Sequence, residues 1–424
     1  MLEAAFWATL AVWLLTVFFR RKRFKIYGIN SLMLVGVVLP LVLYFADWSI
    51  LIDPIVSPNF YIIFLLVNLS MIVYSLVADE TLPDSTSNML SRMSVRYLDG
   101  INIVFLFLYV LETYLLSGQF APALHGVDVH TASFPVVSFV TRNLAVPALL
   151  DLICFRNTHR KRYLFYVAAI VLLPILTRNA RMVSFEVLLA LAVMAAVMYS
   201  TSPHKCLRDI LYVKVRRIVG VFVVCVMAVS LVLYAVQLTN ERTIRNGAVG
   251  FDYGDSIGYT GPLGNVGAVY YGYFPISYNN LNMRLKYDVS NPNPLGFYSF
   301  ASLWFGVLEI DNVFDISTTQ DVANRIVTTS SATVPTAFWT YWYDYGIFGF
   351  FPVLVMVWLT YTVLTKCRKN ARGGGSLLVY TFLGSKIFFE SFQNTYFATP
   401  VIWGVFIIWV ICKLCVTYEG NTHE

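Results

Sequence analysis

The sequence predicts an all-α integral membrane protein that crosses a bilayer about eleven times, with one large loop on the non-cytoplasmic side. Three observations lead there. The chain is 58% hydrophobic and 13% charged, about half the charge of an ordinary globular protein. Its mean hydropathy is +0.66. Long apolar runs recur along it, and basic residues collect in alternate gaps between them. The runs are too long, and too free of period-2 alternation, for an outer-membrane barrel.

Runs able to cross a hydrocarbon core of about 30 Å lie near residues 4–19, 29–46, 60–78, 101–117, 135–155, 163–177, 182–200, 218–238, 338–365, 377–395 and 399–416. The shorter ones borrow flanking Tyr, Trp or Thr. Residues 1–238 then form eight spans, 239–337 the large loop, and 338–424 three further spans with a cytoplasmic tail. Residues 20–25, 79–100, 156–162, 201–217, 366–372 and Lys413 at the inner end of the last span hold 21 of the 30 basic residues. The opposite side holds Arg178, Arg181, Arg242, Arg245, Arg284, Lys286 and Arg325, while Arg142 and Lys386 fall inside spans. The positive-inside rule therefore puts the N-terminus outside and the C-terminus inside. Glu3 before the first run and basic residues after it read as a first span, not a cleavable leader.

The net charge of +6 is thus a topology signal, and no nucleic-acid partner is expected. All six cysteines fall in spans or inner gaps, so neither a disulfide nor a cysteine metal site is expected. No phosphate-binding loop, zinc ligand set or dinucleotide fingerprint occurs, which argues against an ATP-driven machine and predicts no cofactor and no metal.

The loop 239–337 is rich in Tyr, Asn, Gly and Pro, and its aromatic residues argue for order. Residues 296–308 read as a short amphipathic or re-entrant helix at the interface. Arg178 and Arg181 occupy the hairpin between the sixth and seventh spans. With helix starting by Arg178 they share a face at i and i+3, beside free N–H groups and the positive dipole end. Two guanidinium forks there suit a pyrophosphate; the bland alternative is snorkelling to headgroups. Arg142, inside the fifth span, costs about 2.5–3.5 kcal/mol if exposed to lipid and should face the bundle interior or a wet cavity, for structure or function.

Arg242 and Arg245 repeat the i, i+3 spacing, and Arg284 lies further along the loop. Lys386 and Glu390, at i and i+4, can neutralise each other; Glu390 and Asn394 are also substrate candidates. Asp344, among Tyr341, Trp342, Tyr343 and Tyr345, is a candidate general base, with helix capping or pairing to Arg142 as alternatives. His125 and His130 read as surface residues. Glu309, Asp311 and Asp315 read as solvated, since their spacing matches no calcium loop.

Three groups of residues carry a family resemblance. They are Leu176–Thr177–Arg178–Asn179–Ala180–Arg181; Tyr278–Asn279–Asn280–Leu281 with Gly296–Phe297–Tyr298–Ser299–Phe300; and Thr336–Ala337–Phe338 leading into Tyr343–Asp344–Tyr345–Gly346–Ile347–Phe348–Gly349. Over roughly 170–365 the chain resembles the bacterial oligosaccharide repeat-unit polymerases, the Wzy-type enzymes of O-antigen and capsule. One departure is Asn179–Ala180 where a Gly–Ser type turn is usual, so both arginines stay candidates for the family position. The resemblance implies a glycosyltransferase of C-type architecture in the bacterial cytoplasmic (inner) membrane. Its substrate would be a polyprenyl-pyrophosphate-linked oligosaccharide, with membrane lipid, a flippase and a chain-length regulator as partners. Arg178, Arg181 and Asp344 would be catalytic; Arg142, Arg242, Arg245, Arg284, Tyr278, Asn280, Tyr343 and Glu390 would bind substrate. A surface-glycan ligase of similar fold, a lipid-linked oligosaccharide flippase or other transporter, and a scaffold are the competing readings. The missing internal repeat weighs against a transporter.

Overall fold

A computed structural model describes residues 1–21, 23–83, 85–125, 135–178, 180–201, 253–287, 290, 292–293, 295–300, 336–370, 374–389 and 399–418. The eighth predicted span, Arg242, Arg245, Arg325, His130, the 309–315 acids, Glu390 and Asn394 lie outside them. The described chain is mostly helical. Four helices are long and apolar enough to cross a membrane: α1 (Leu2–Phe19), α3 (Pro58–Val77), α5 (Leu98–Ser117) and the stretch Met182–Thr201. Helix also occupies each other predicted span that falls within the described residues: α2 (Ile29–Tyr44), α6 (Pro135–Thr141), α7 (Ala145–Thr158), α8 (Lys161–Arg178), α9 (Arg181–Thr201) and others given below.

The packing explains why α1 and α2 stay together. α1 keeps Phe6, Leu10 and Trp13 buried and leaves Leu15, Phe18 and Phe19 exposed, the division expected of a helix with one face on lipid. Trp13 Nε1 donates to Asn30 Oδ1 at 3.0 Å, and Ser75 Oγ to the same oxygen at 2.7 Å, tying α1, α2 and α3 through one buried amide. The amide is held in turn by Glu80, which accepts from Asn30 N at 3.0 Å and Nδ2 at 3.2 Å. Within α2, residues Leu34–Val38 widen into a π turn. Gly36 lies in it because the backbone of Phe388 passes there; an added Cβ would come within 2.5 Å of Phe388 Cα.

A short helix, α4 (Ser85–Arg92), and strand β1 (Met93–Val95) follow α3. The last described helices are α14 (Phe350–Lys369), α15 (Gly374–Ile387) and α16 (Thr399–Leu414), and strand β2 (Val416–Tyr418) pairs antiparallel with β1. This clasp sits with residues 20–21, 23–25, 156–162 and 366–369 at the basic end of the bundle. The other end carries the described part of the large loop: α10 (Tyr253–Ser256), α11 (Gly264–Tyr273), α12 (Pro275–Lys286) and α13 (Trp339–Tyr345). It is termed the loop end.

Two expected elements differ. The fifth predicted span is broken at 142–144 into α6 and α7. Asn143 causes the break locally: its Nδ2 bonds the carbonyl of Phe139 at 2.6 Å, and its N–H turns to Val140 at 2.9 Å, diverting backbone groups from the helical ladder. Residues 297–300, predicted as the start of a helix, form turns.

Candidate functional site at the loop end

Arg178 is the last residue of α8 and Arg181 the first of α9, so they belong to different helices. The expected i, i+3 sharing of one face does not occur. The N–H of Ala180 bonds back to the carbonyl of Pro174 at 3.0 Å, a wide turn that closes α8 before Arg181 begins the next helix. Arg178 swings onto α5. Its Nη2 lies 2.7 Å from Glu112 Oε2 and 2.9 Å from the Tyr109 carbonyl, and its Nε donates to Thr113 Oγ1 at 2.6 Å. The guanidinium also covers the Tyr109 ring at 4.3 Å. Glu112 is fully buried and accepts two more bonds, from Ser138 Oγ and from Thr141 Oγ1 at 2.7 Å. A charge this deep is tolerated because a cation and two hydroxyls converge on it.

Arg142 is exposed in the α6–α7 turn rather than turned into the bundle. The interior position goes to its neighbours, since Thr141 binds Glu112 and Asn143 is buried on its own helix. Asp344 therefore does not meet Arg142. Its carboxylate is buried and accepts the backbone N–H of Tyr298 at 3.2 Å and that of Ser299, fixing the turn at 297–300 against α13. Tyr343, next to it, packs edge-on against Tyr298 at 4.8 Å and Trp339 at 5.6 Å.

The Tyr278–Asn279–Asn280–Leu281 motif lies on α12 with every side chain buried. Tyr278 donates to the Val37 carbonyl at 2.9 Å, catching an acceptor in the widened turn of α2. Asn279 and Asn282, one helical turn apart, grip residues 51–57 by their backbone. Asn279 accepts from Asp53 N at 2.9 Å and donates to Leu51 O at 2.8 Å; Asn282 accepts from Ser57 N at 2.7 Å and donates to Ile55 O at 3.0 Å. Each amide thus replaces a strand partner for a loop whose backbone would otherwise lack one. Lys286 adds an ion pair to Asp53 at 2.6 Å. Burial works against the Asp53 charge, but the ammonium and the Ile55 N–H hold its carboxyl below the usual range.

Arg284 lies on the same helix, 2% exposed, with its guanidinium 4.2 Å above the Trp339 ring. Burial pulls it down to about 10, so it remains cationic at neutral pH. Lys386, near the end of α15, is 4% exposed and pairs with Glu186 of α9, a partner on another helix, while flanked by the rings of Phe382 and Phe389.

The loop end thus gathers three buried cations, Arg178, Arg284 and Lys386, each against an aromatic ring. The described structure brings Arg284, Tyr343, Asp344 and Tyr298 into one neighbourhood around α12 and α13. The side chains of Arg181 and His125 lie outside the described residues. Sequence reasoning passed over Glu112 and Glu186, the anions that hold two of these cations. It also passed over Glu80, Asn102, Asp151 and Arg368, which are buried towards the basic end. The signal was available: an ionisable residue inside an apolar run has to find a partner in the bundle. No protein-family model, characterised protein or solved structure matches the chain.

Proposed function

We propose that the chain is a multi-pass membrane glycosyltransferase of about eleven spans that joins polyprenyl-pyrophosphate-linked oligosaccharides into a surface polysaccharide. The observation that carries this reading is Arg284, a cation buried against the Trp339 ring at the loop end. A lipid diphosphate lies at the membrane surface with its sugars outside, so its receptor needs cations at helix ends beneath a loop that holds sugars. Arg284 on Trp339, with Arg181 at the N-terminus of α9, would receive the diphosphate. Arg178, held by Glu112, would set the ends of α5 and α8 around it. The departing diphosphate needs charge stabilisation, which fixed guanidinium groups supply without reorganising. Asp344, whose oxygens already receive two N–H groups, serves in this reading as the residue that positions the turn at 297–300. The orientation follows the basic-residue count, with the loop end outside.

Arg284→Gln and Arg181→Gln should abolish long polymer in cells and leave single lipid-linked repeats, at unchanged membrane levels of the protein. Normal polymer length in both variants would reject the reading. A second reading, a transporter of the same lipid-linked sugars, draws on a specific observation. Glu80, Asp151 and Arg368 show that buried ionisable groups also occur in the half towards the basic end. Deletion of the protein separates the two: unpolymerised repeats facing outward support the polymerase, and repeats facing inward support the transporter.

A further inference from the structure

Asn102 of α5 and Asp151 of α7 meet in the core near the basic end, both fully buried. Asn102 Nδ2 donates to Asp151 Oδ1 at 2.8 Å. The second oxygen of each side chain, Asn102 Oδ1 and Asp151 Oδ2, has no donor. Among the described residues no Lys, Arg or His stands within ion-pair distance of Asp151. A fully buried ionised carboxylate with one amide donor and no counter-ion is strongly disfavoured and takes up a proton instead. One proton answers both orphan oxygens. A carboxyl and an amide already joined by one hydrogen bond form a second when the acid carries its hydrogen.

We propose that Asp151 and Asn102 form a proton-binding site, with Asp151 held as the neutral acid and donating from Oδ2 to Asn102 Oδ1. Loss of that proton leaves two acceptors with no donor between them, so the site has nothing to offer an anion. Its surroundings do not supply a rival charge. Asp99, one turn earlier on α5, is the charged group that acts on Asp151 among the described residues, and it is a like charge. Asp99 itself pairs with Arg162 of α8 at 2.9 Å and is partly exposed at the basic end. Cys154, one turn along α7, is a buried thiol. The other elements packed on α7, namely α4, α9, α15, α16 and β1, contribute no charged group that acts on Asp151 among the described residues.

Infrared difference spectra of the full chain in lipid, wild type against Asp151→Asn at neutral pH, test the site. The expected result is a protonated-carboxyl C=O band in the wild type that shifts in D2O and is missing from the variant. Loss of a carboxylate band instead, or of no band, would overturn the proposal. Asn102→Leu then tests the partner, since removing the acceptor must move the same band to the position of a less hydrogen-bonded acid. A band that stays in place would show that Asn102 does not receive the proton.

Discussion

At the loop end of α5, Glu112 is fully buried and receives the Arg178 guanidinium and two hydroxyls; near the basic end, Asp151 is equally buried and receives one amide. Depth is the same and the donor set is not. The comparison teaches that the partners, more than burial itself, decide whether an acid in this bundle keeps its charge. A cation and hydroxyls make Glu112 half of an ion pair. A lone amide makes Asp151 half of an acid–amide pair. The neutralising groups are consequently not interchangeable, and swapping each acid for its amide separates them.

The largest effect is expected at the ion pair. Glu112→Gln leaves the Arg178 charge buried without a counter-ion and should cost about 3–5 kcal/mol, read as a lower melting temperature of the purified chain in detergent. A melting temperature equal to wild type would mean that Arg178 is not committed to Glu112. Tyr278→Phe supplies a neutral standard between the two. It removes one hydrogen bond to the Val37 carbonyl and should cost about 0.5–1.5 kcal/mol by the same measurement. Asp151→Asn should cost less than about 1 kcal/mol, because its new N–H replaces the acid hydrogen in a neutral hydrogen bond. A loss as large as that of Glu112→Gln would erase the distinction between the two ends.

The smallest effect belongs to the partly exposed pair of Asp53 and Lys286, worth about 0–1 kcal/mol. The Asp53 carboxyl is held below its unfolded value. Its contribution is therefore complete above the unfolded carboxylate range, about pH 3.9, and disappears as pH falls through the lower folded value. Acid titration of unfolding should show this step in the wild type and not in Asp53→Asn.

Most of the helical layout was legible because a helix in an apolar environment must satisfy its own backbone, which forces long uninterrupted runs. The hairpin at Arg178 and Arg181 was legible as a position, but the single helix face expected to carry both does not form. Its geometry depends on a turn closed on Pro174 and on a glutamate 66 residues away in sequence, neither of which a local pattern reveals. The same holds for Asn279 and Asn282. Asn279 stood in a motif and Asn282 in none, and the partners of both are backbone atoms of residues 51–57. Arg142 drew attention as a charge inside a span, while Asn143 beside it set the break that put Arg142 outside the core. Glu112 and Asp151 sat in plain view within apolar runs. Telling a charged acid from a protonated one required their donors, and donors arrive only with tertiary packing.

The central functional claim is that the loop end grips a diphosphate. Binding of polyprenyl diphosphate and polyprenyl monophosphate to the full chain in lipid nanodiscs tests it most directly. The account predicts that the diphosphate binds tighter by on the order of tenfold, the worth of one charge-assisted bond, and that Arg284→Gln removes the preference. Equal binding of the two lipids by the wild-type protein would contradict it.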